Sequence, residues 1–198
     1  MTETIVHAEL RLRRAEPADV DFLAALASDE EIEPFVAAIS PRTHDQLLPE
    51  VQRSLAEPEA FGRLVVEVSD GGLWRLAGAL AYEAFNRRSR IVSVHAVMIA
   101  PAFRGRGLAE QATRLATRYL IRERGYHRVQ LEVYGFNERA QRVFERAGFM
   151  REGVRRRAYW RHGEWQDGVL FGLLEEELDD GDTEPGTPAG RKESEGHA

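Results

Sequence analysis

Cysteine is absent from the 198-residue chain, which excludes disulfides, thiol nucleophiles and thiolate metal sites; no metal centre is expected. Long apolar runs are absent too. The densest, Phe22 to Ala27, falls far short of the roughly 20 residues that cross a bilayer. The opening MTETIVHAEL lacks a basic segment followed by an apolar one, so no secretory signal and no membrane partner is expected, and the protein is expected to be cytoplasmic. No internal repeat is visible. Two nucleotide-binding signatures are also missing. No Lys follows the glycines in a GxxxxGK[ST] pattern, and a GxGxxG reading of Gly105-Arg106-Gly107-Leu108-Ala109-Glu110 ends in Glu. A nucleoside triphosphatase and a Rossmann dehydrogenase are both disfavoured.

What is present fits one domain with a sizeable core. The 33 acids and 27 bases give a formal charge of -6, but the excess is local. From Glu175 onward there are nine acids and two bases, leaving 24 acids and 25 bases in the body. That end is poor in apolar residues and has no period. Residues 179–198 are therefore expected to form an acidic, disordered tail behind a domain over 1–178. A near-neutral body argues against nucleic acid as a partner. REGVRRRAYWR holds five arginines, but strand alternation would split them between two faces.

Hydrophobic periods order the body as β-α-α-β-β-β-α-β-α-β-β. AELRLRRA alternates as a strand, and Val20, Leu23, Ala24 and Ala27, then Leu47, Leu48, Val51 and Leu55, form two helical stripes. GRLVVEV, LWRLAGALAYEA and RIVSVHAVMIA follow as antiparallel strands. Leu108 to Leu120 repeat at helical spacing, and HRVQLEVYG is a further strand. Asn137 reads as the N-cap of a helix that Gly148 ends. FMREGVRRRAYWR and EWQDGVLFGLL close the domain as a strand pair. The expected fold class is α/β: a mixed sheet of about six to seven strands, antiparallel in its N-terminal half, with a parallel β-α-β crossover and helices on both faces.

APAFRGRGLAE, residues 100–110, lies where that crossover leaves its strand. Pro101 cannot continue a central strand, so the ladder should end near Ala100. Gly105 and Gly107 bare the backbone just before the helix, whose N-terminus adds unpaired N–H donors and a positive dipole end. Such a turn can hold a diphosphate, with Arg104 and Arg106 adding charge. The alternative is a loop that needs Gly only for positive φ.

With these residues the chain resembles the GNAT acetyltransferase superfamily. Arg104-x-x-Gly107-x-Ala109 matches its Q/R-x-x-G-x-G/A motif, and VMIAPAF is similar to its strand-Pro-x-aromatic lead-in. NERAQRVFERAGF is similar to its N-x-x-A/S…G-F segment, and the Glu152-Gly153 and hairpin pattern that follows looks like the RimJ/RimL branch. The resemblance runs over about residues 8 to 175. It implies acetyl-CoA as cosubstrate, with the diphosphate on Arg104, Gly105, Arg106, Gly107, Leu108 and Ala109. The pantetheine arm would add along the backbones of Val97 and Ile99, with Met98 between them, where two parallel strands splay apart. Asn137 matches a residue that contacts the cofactor arm.

Acetyl transfer also needs a base for an ammonium of pKa about 10 and a donor for the tetrahedral oxyanion, expected to be a backbone N–H such as that of Val97. His95 is the leading base, because strand parity would put it on the face of Val97 and Ile99. Glu83 and Glu132 are the alternatives. The carboxylate base of histone acetyltransferases would fall at Ile91, and the Tyr that serves many GNAT enzymes as general acid is replaced by Phe144. The acid is then Tyr134, water, or absent, the thiolate leaving without one.

The acceptor, a small-molecule or peptide amine, is expected between the segment Glu30 to Thr43 and the hairpin around Tyr159 to Trp165. Glu30, Glu31 and Glu33 either attract a cationic amine or form a solvated helix end. A homodimer is left open. The expected activity is N-acetyl transfer from acetyl-CoA to a primary amine; the alternative is a non-catalytic acyl-CoA-binding or sensing module.

Overall fold

The computed structural model describes residues 4–7, 9–35 and 42–178. The acidic tail over 179–198 and part of the Glu30 to Thr43 segment lie outside them. Eight strands form one sheet: β1 (Thr4–His7), β2 (Leu10–Arg14), β3 (Phe61–Asp70), β4 (Leu73–Asn86), β5 (Ile91–Ile99), β6 (Arg128–Tyr134), β7 (Met150–Arg161) and β8 (Glu164–Leu174). Their order is β1-β2-β3-β4-β5-β6-β8-β7. Neighbouring strands are antiparallel except β5 and β6. The mixed α/β architecture is the expected one, with one strand more than the six to seven anticipated. The added strand is β1, whose four residues are too few for a readable alternation and whose place at the sheet edge demands none.

Helices α1 (Val20–Ala27) and α2 (His44–Ala56) cover one face; α3 (Leu108–Arg118) and α4 (Glu138–Arg146) cover the other. The α1/α2 layer buries Val20, Leu23, Leu47 and Val51 against Val65, Ala79 and Met98. The α3/α4 layer buries Leu108, Ala112, Ala116 and Phe144 against Leu12, Leu64, Val92 and Val94. Thr43, the residue before α2, and Gln46 form a reciprocal capping box. Among the described residues no helix is long and apolar enough to cross a membrane.

One buried cation ties the layers together. Arg14, 4% exposed, donates to the Ser54 carbonyl at 2.9 Å, the Pro58 carbonyl at 3.2 Å and the Tyr82 hydroxyl at 2.5 Å. Those bonds join β2 to the end of α2 and to β4.

Candidate active site

β5 and β6 pair over only three positions, Ile91↔Arg128 to Ser93↔Gln130. Beyond them β6 follows β8 as far as Tyr134, while β5 follows β4 to Ile99. The strands diverge, and a cavity of about 1220 Å³ opens between them, lined from both layers. Ala100 donates to the Ala77 carbonyl at 2.9 Å. Antiparallel alternation and planar trans peptides therefore turn the Val97 carbonyl and both backbone groups of Ile99 away from β4, towards the cleft.

The strand itself is bulged. Ala96 has φ of 51°, and the β4–β5 register slips by one residue between Ala79↔Met98 and Ala81↔His95. Before the bulge Val92 and Val94 face α3 and α4; after it Val97 and Ile99 do. His95 therefore does not share a face with Val97 and Ile99, as plain alternation implied. It lies on the α1/α2 face, where Ala96 and Met98 also pack. Nothing in the residue types marks the bulge, since no glycine stands at the left-handed position.

The loop after β5 makes a short turn at Pro101–Phe103, then passes through Gly105 and Gly107, at φ of 78° and 72°. Gly107 is the residue before α3, so the first N–H groups of the helix have no side-chain cap. A Cβ at Gly105 would meet nothing within 4 Å, and one at Gly107 only the Gln111 amide at 3.4 Å. The loop thus leaves open space over bare backbone. Leu108 and Ala109 begin α3 along the same cavity wall. Arg106 stacks over Phe103 at 5.5 Å. Arg104 turns elsewhere: its Nε donates to the Ile99 carbonyl at 3.2 Å and its guanidinium pairs with Glu31. Asn137 caps α4 through its side-chain oxygen, 3.1 Å from the Ala140 nitrogen, and also lines the cavity.

The four candidate catalytic side chains share the α1/α2 face. Glu83 follows Ala81 on β4, and Glu132 and Tyr134 alternate with Val129, Leu131 and Val133, which pack in the α3/α4 core. His95 is recessed in the cavity but open to it. Burial and the Arg63 charge hold its imidazole below the ordinary 6.5, against the opposing pull of Glu83 and Glu50. Glu83 is tied to Arg53 at 2.9 Å and Glu132 to Arg155 at 3.2 Å. Burial raises the Tyr134 hydroxyl, with Glu132 and Glu33 adding and Arg161 opposing, so it stays protonated at neutral pH. Phe144 is buried against Phe149 and Phe171.

Tyr159 falls within the hairpin expected at the acceptor side, whereas Phe136, Arg63 and Glu50 were not singled out from the sequence. Tyr159 stands edge-on to Tyr134 at 5.2 Å, and Phe136 stacks on Tyr134 at 5.2 Å. Arg63 and Glu50 sit beside His95 on the α1/α2 side. Arg63 had a visible signal: a lone cation in GRLVVEV, a strand otherwise free of positive charge. The acidic stretch at Glu30 to Glu33 does not form a free anionic patch, because Glu31 pairs with Arg104 and Glu33 with Arg161 at 3.5 Å.

Residues 9–150 match the family described as acetyltransferase (GNAT) domain, which is more than half of the chain. The chain belongs to the GNAT acetyltransferase family. Acetyl transfer from acetyl-CoA to an amine is the activity that goes with this membership. Among family relatives, an uncharacterized SPbeta prophage-derived N-acetyltransferase, YokL of Bacillus subtilis, is 28% identical over 170 residues, covering 86% of this chain and 92% of that protein. A spermidine N(1)-acetyltransferase of Vibrio cholerae is 25% identical over 162 residues, covering 82% and 91%. The solved Vibrio cholerae spermidine N-acetyltransferase in complex with CoA and spermine has a TM-score of 0.78 at 24% identity, covering 87% of this chain and 99% of that one. At that identity the likeness is one of fold.

Proposed function

We propose that acetyl-CoA lies in the cleft between β5 and β6, and that the amine reaches its thioester from the α1/α2 face. The observation that carries this reading is the three-pair parallel ladder that opens beside a glycine-bared helix N-terminus. The diphosphate rests on backbone N–H groups from Arg104 to Ala109, with Arg106 adding charge. The pantetheine arm bonds the Val97 carbonyl and the Ile99 backbone, with Met98 between them facing β4. Asn137 keeps its side-chain N–H groups for that arm while its oxygen caps α4.

His95, neutral at pH 7, takes the proton that the attacking ammonium must lose, directly or through water. The amine nitrogen then bonds to the thioester carbon, and an N–H on the bulged strand such as that of Val97 holds the oxyanion. As the C–S bond breaks, the CoA thiolate takes a proton from Tyr134 or from water. Glu83 and Glu132 are the alternative bases, each paired with an arginine, Arg53 and Arg155. The hairpin and Gly-Phe…Glu-Gly pattern support a RimJ/RimL-like member, and we infer a cytoplasmic enzyme with a small-molecule amine or a peptide α-amine as acceptor.

Thiol release from acetyl-CoA, measured over a panel of amines with wild type and His95→Ala, tests the mechanism. Amine-dependent release that drops at least tenfold in the variant is expected. Equal rates remove His95 from the reaction, and release from no amine leaves an acyl-CoA-binding module.

A further inference from the structure

Arg63, Ala81 and His95 occupy one row across β3, β4 and β5, on one face of the sheet. Adjacent strands lie about 4.8 Å apart, so the α-carbons of Arg63 and His95 are about 10 Å apart. Ala81, whose side chain is only a methyl, lies between them in the row. Arg63 is 5% exposed and lines the cavity, and its Nε is buried with no hydrogen-bond partner. Glu50, reaching in from α2, pairs with both Arg63 and Arg42, whose Nε is likewise unpartnered. Two guanidiniums therefore share one carboxylate at this point. A buried N–H without an acceptor is costly unless a ligand supplies one.

Among the described residues, Glu31 pairs with Arg104, Glu33 with Arg161, Glu83 with Arg53 and Glu132 with Arg155, although one oxygen of Glu132 is buried without a partner. A polyamine would need spare carboxylates for its distal ammonium groups. In the row of the proposed base the unpartnered atom is instead an N–H donor, that of Arg63, with a second on Arg42 across the shared Glu50.

We propose that the preferred acceptor is an amino carboxylate, its amine at His95 and its carboxylate on the free guanidinium edges of Arg63 and Arg42. This rests on the acetyl-transfer reading and specifies its substrate. A carboxylate suits these groups because a guanidinium presents N–H pairs to two oxygens at once. The same chemistry comes from a free amino acid or from a peptide that begins with Asp or Glu.

The test compares kcat/KM for thiol release across matched acceptors: free amino acids with their carboxamides, peptides beginning with Asp with those beginning with Asn, and spermidine. Wild type is expected to favour the carboxylate member by at least tenfold, in the first pairing for a free amino acid or in the second for an acidic peptide. Arg63→Gln is expected to bring that ratio close to one, whatever its effect on the absolute rate. Equal rates within both pairings, or spermidine as the best acceptor, would overturn the proposal while leaving acetyl transfer intact. Release with no acceptor would overturn both. Should Arg63→Gln fail to fold, the wild-type ratios decide alone.

Discussion

His95 resists protonation because burial and the Arg63 charge oppose it more than Glu83 and Glu50 favour it. A lowered pKa keeps the base form present at lower pH. With His95 as the proposed base and acceptor levels corrected for the free-amine fraction, the acid limb of kcat/KM should therefore fall below pH 6.5. Arg63→Gln removes one of the two opposing causes, so the limb should move up towards 6.5. A limb unmoved by that change would dissociate Arg63 from the base. Tyr134 offers a second residue-scale check. Tyr134→Phe keeps the rings against Phe136 and Tyr159 but deletes the donor, so kcat should fall about tenfold if the thiolate takes its proton there. Single-turnover acetyl transfer measures it directly.

At the scale of elements, the periods exposed most of the fold, because two-residue and 3.6-residue repeats come from burial on one face. The crossover and its loop were legible from Pro101, Gly105 and Gly107, each of which constrains the backbone. The bulge at Ala96 was not. An alanine carries no sign of positive φ, and the slip reverses the face of every later residue on β5. Candidate residues could thus be picked by type, whereas their pairing into donor and acceptor sides needed the register. A further element-scale consequence concerns the start of α1, where the Asp19 carboxylate accepts two bonds from Arg13, at 2.6 and 2.9 Å. Burial alone would raise its pKa, but the Arg13 bonds, the Glu16 N–H and the Arg13 charge together bring it below 3.8. A lowered acid stabilises the fold above the unfolded pKa and loses that contribution as pH falls through the folded one. Asp19→Asn should therefore cost about 3 kcal/mol at pH 7 and progressively less as pH falls below 3.8, by urea titrations at a series of pH values.

Across the whole molecule, positive charge is carried almost entirely by arginine; Lys192 is the one lysine. Arginine stays charged when buried and offers several donors in a fixed plane, which suits a fold that places Arg14 and Arg63 inside. Arg14 binds groups from separate segments, so its loss acts on the sheet as a unit. Arg14→Met should cost about 3 kcal/mol of stability, read as a lower urea midpoint with an unchanged m-value, because the Ser54 and Pro58 carbonyls and the Tyr82 hydroxyl lose their donor. The surface follows a similar logic at the sheet edge. β7 exposes Arg151, Arg155, Arg156 and Arg157, and charged side chains on an edge strand discourage pairing with another chain.

We propose that the glycine-bared turn before α3 carries the diphosphate of acetyl-CoA. The most direct measurement is the dissociation constant for acetyl-CoA, by calorimetry, in wild type and in Gly107→Glu, with a thermal melt to show that both are folded. Bulk and negative charge at that position should weaken binding at least tenfold. An unchanged dissociation constant in a folded variant would contradict the account.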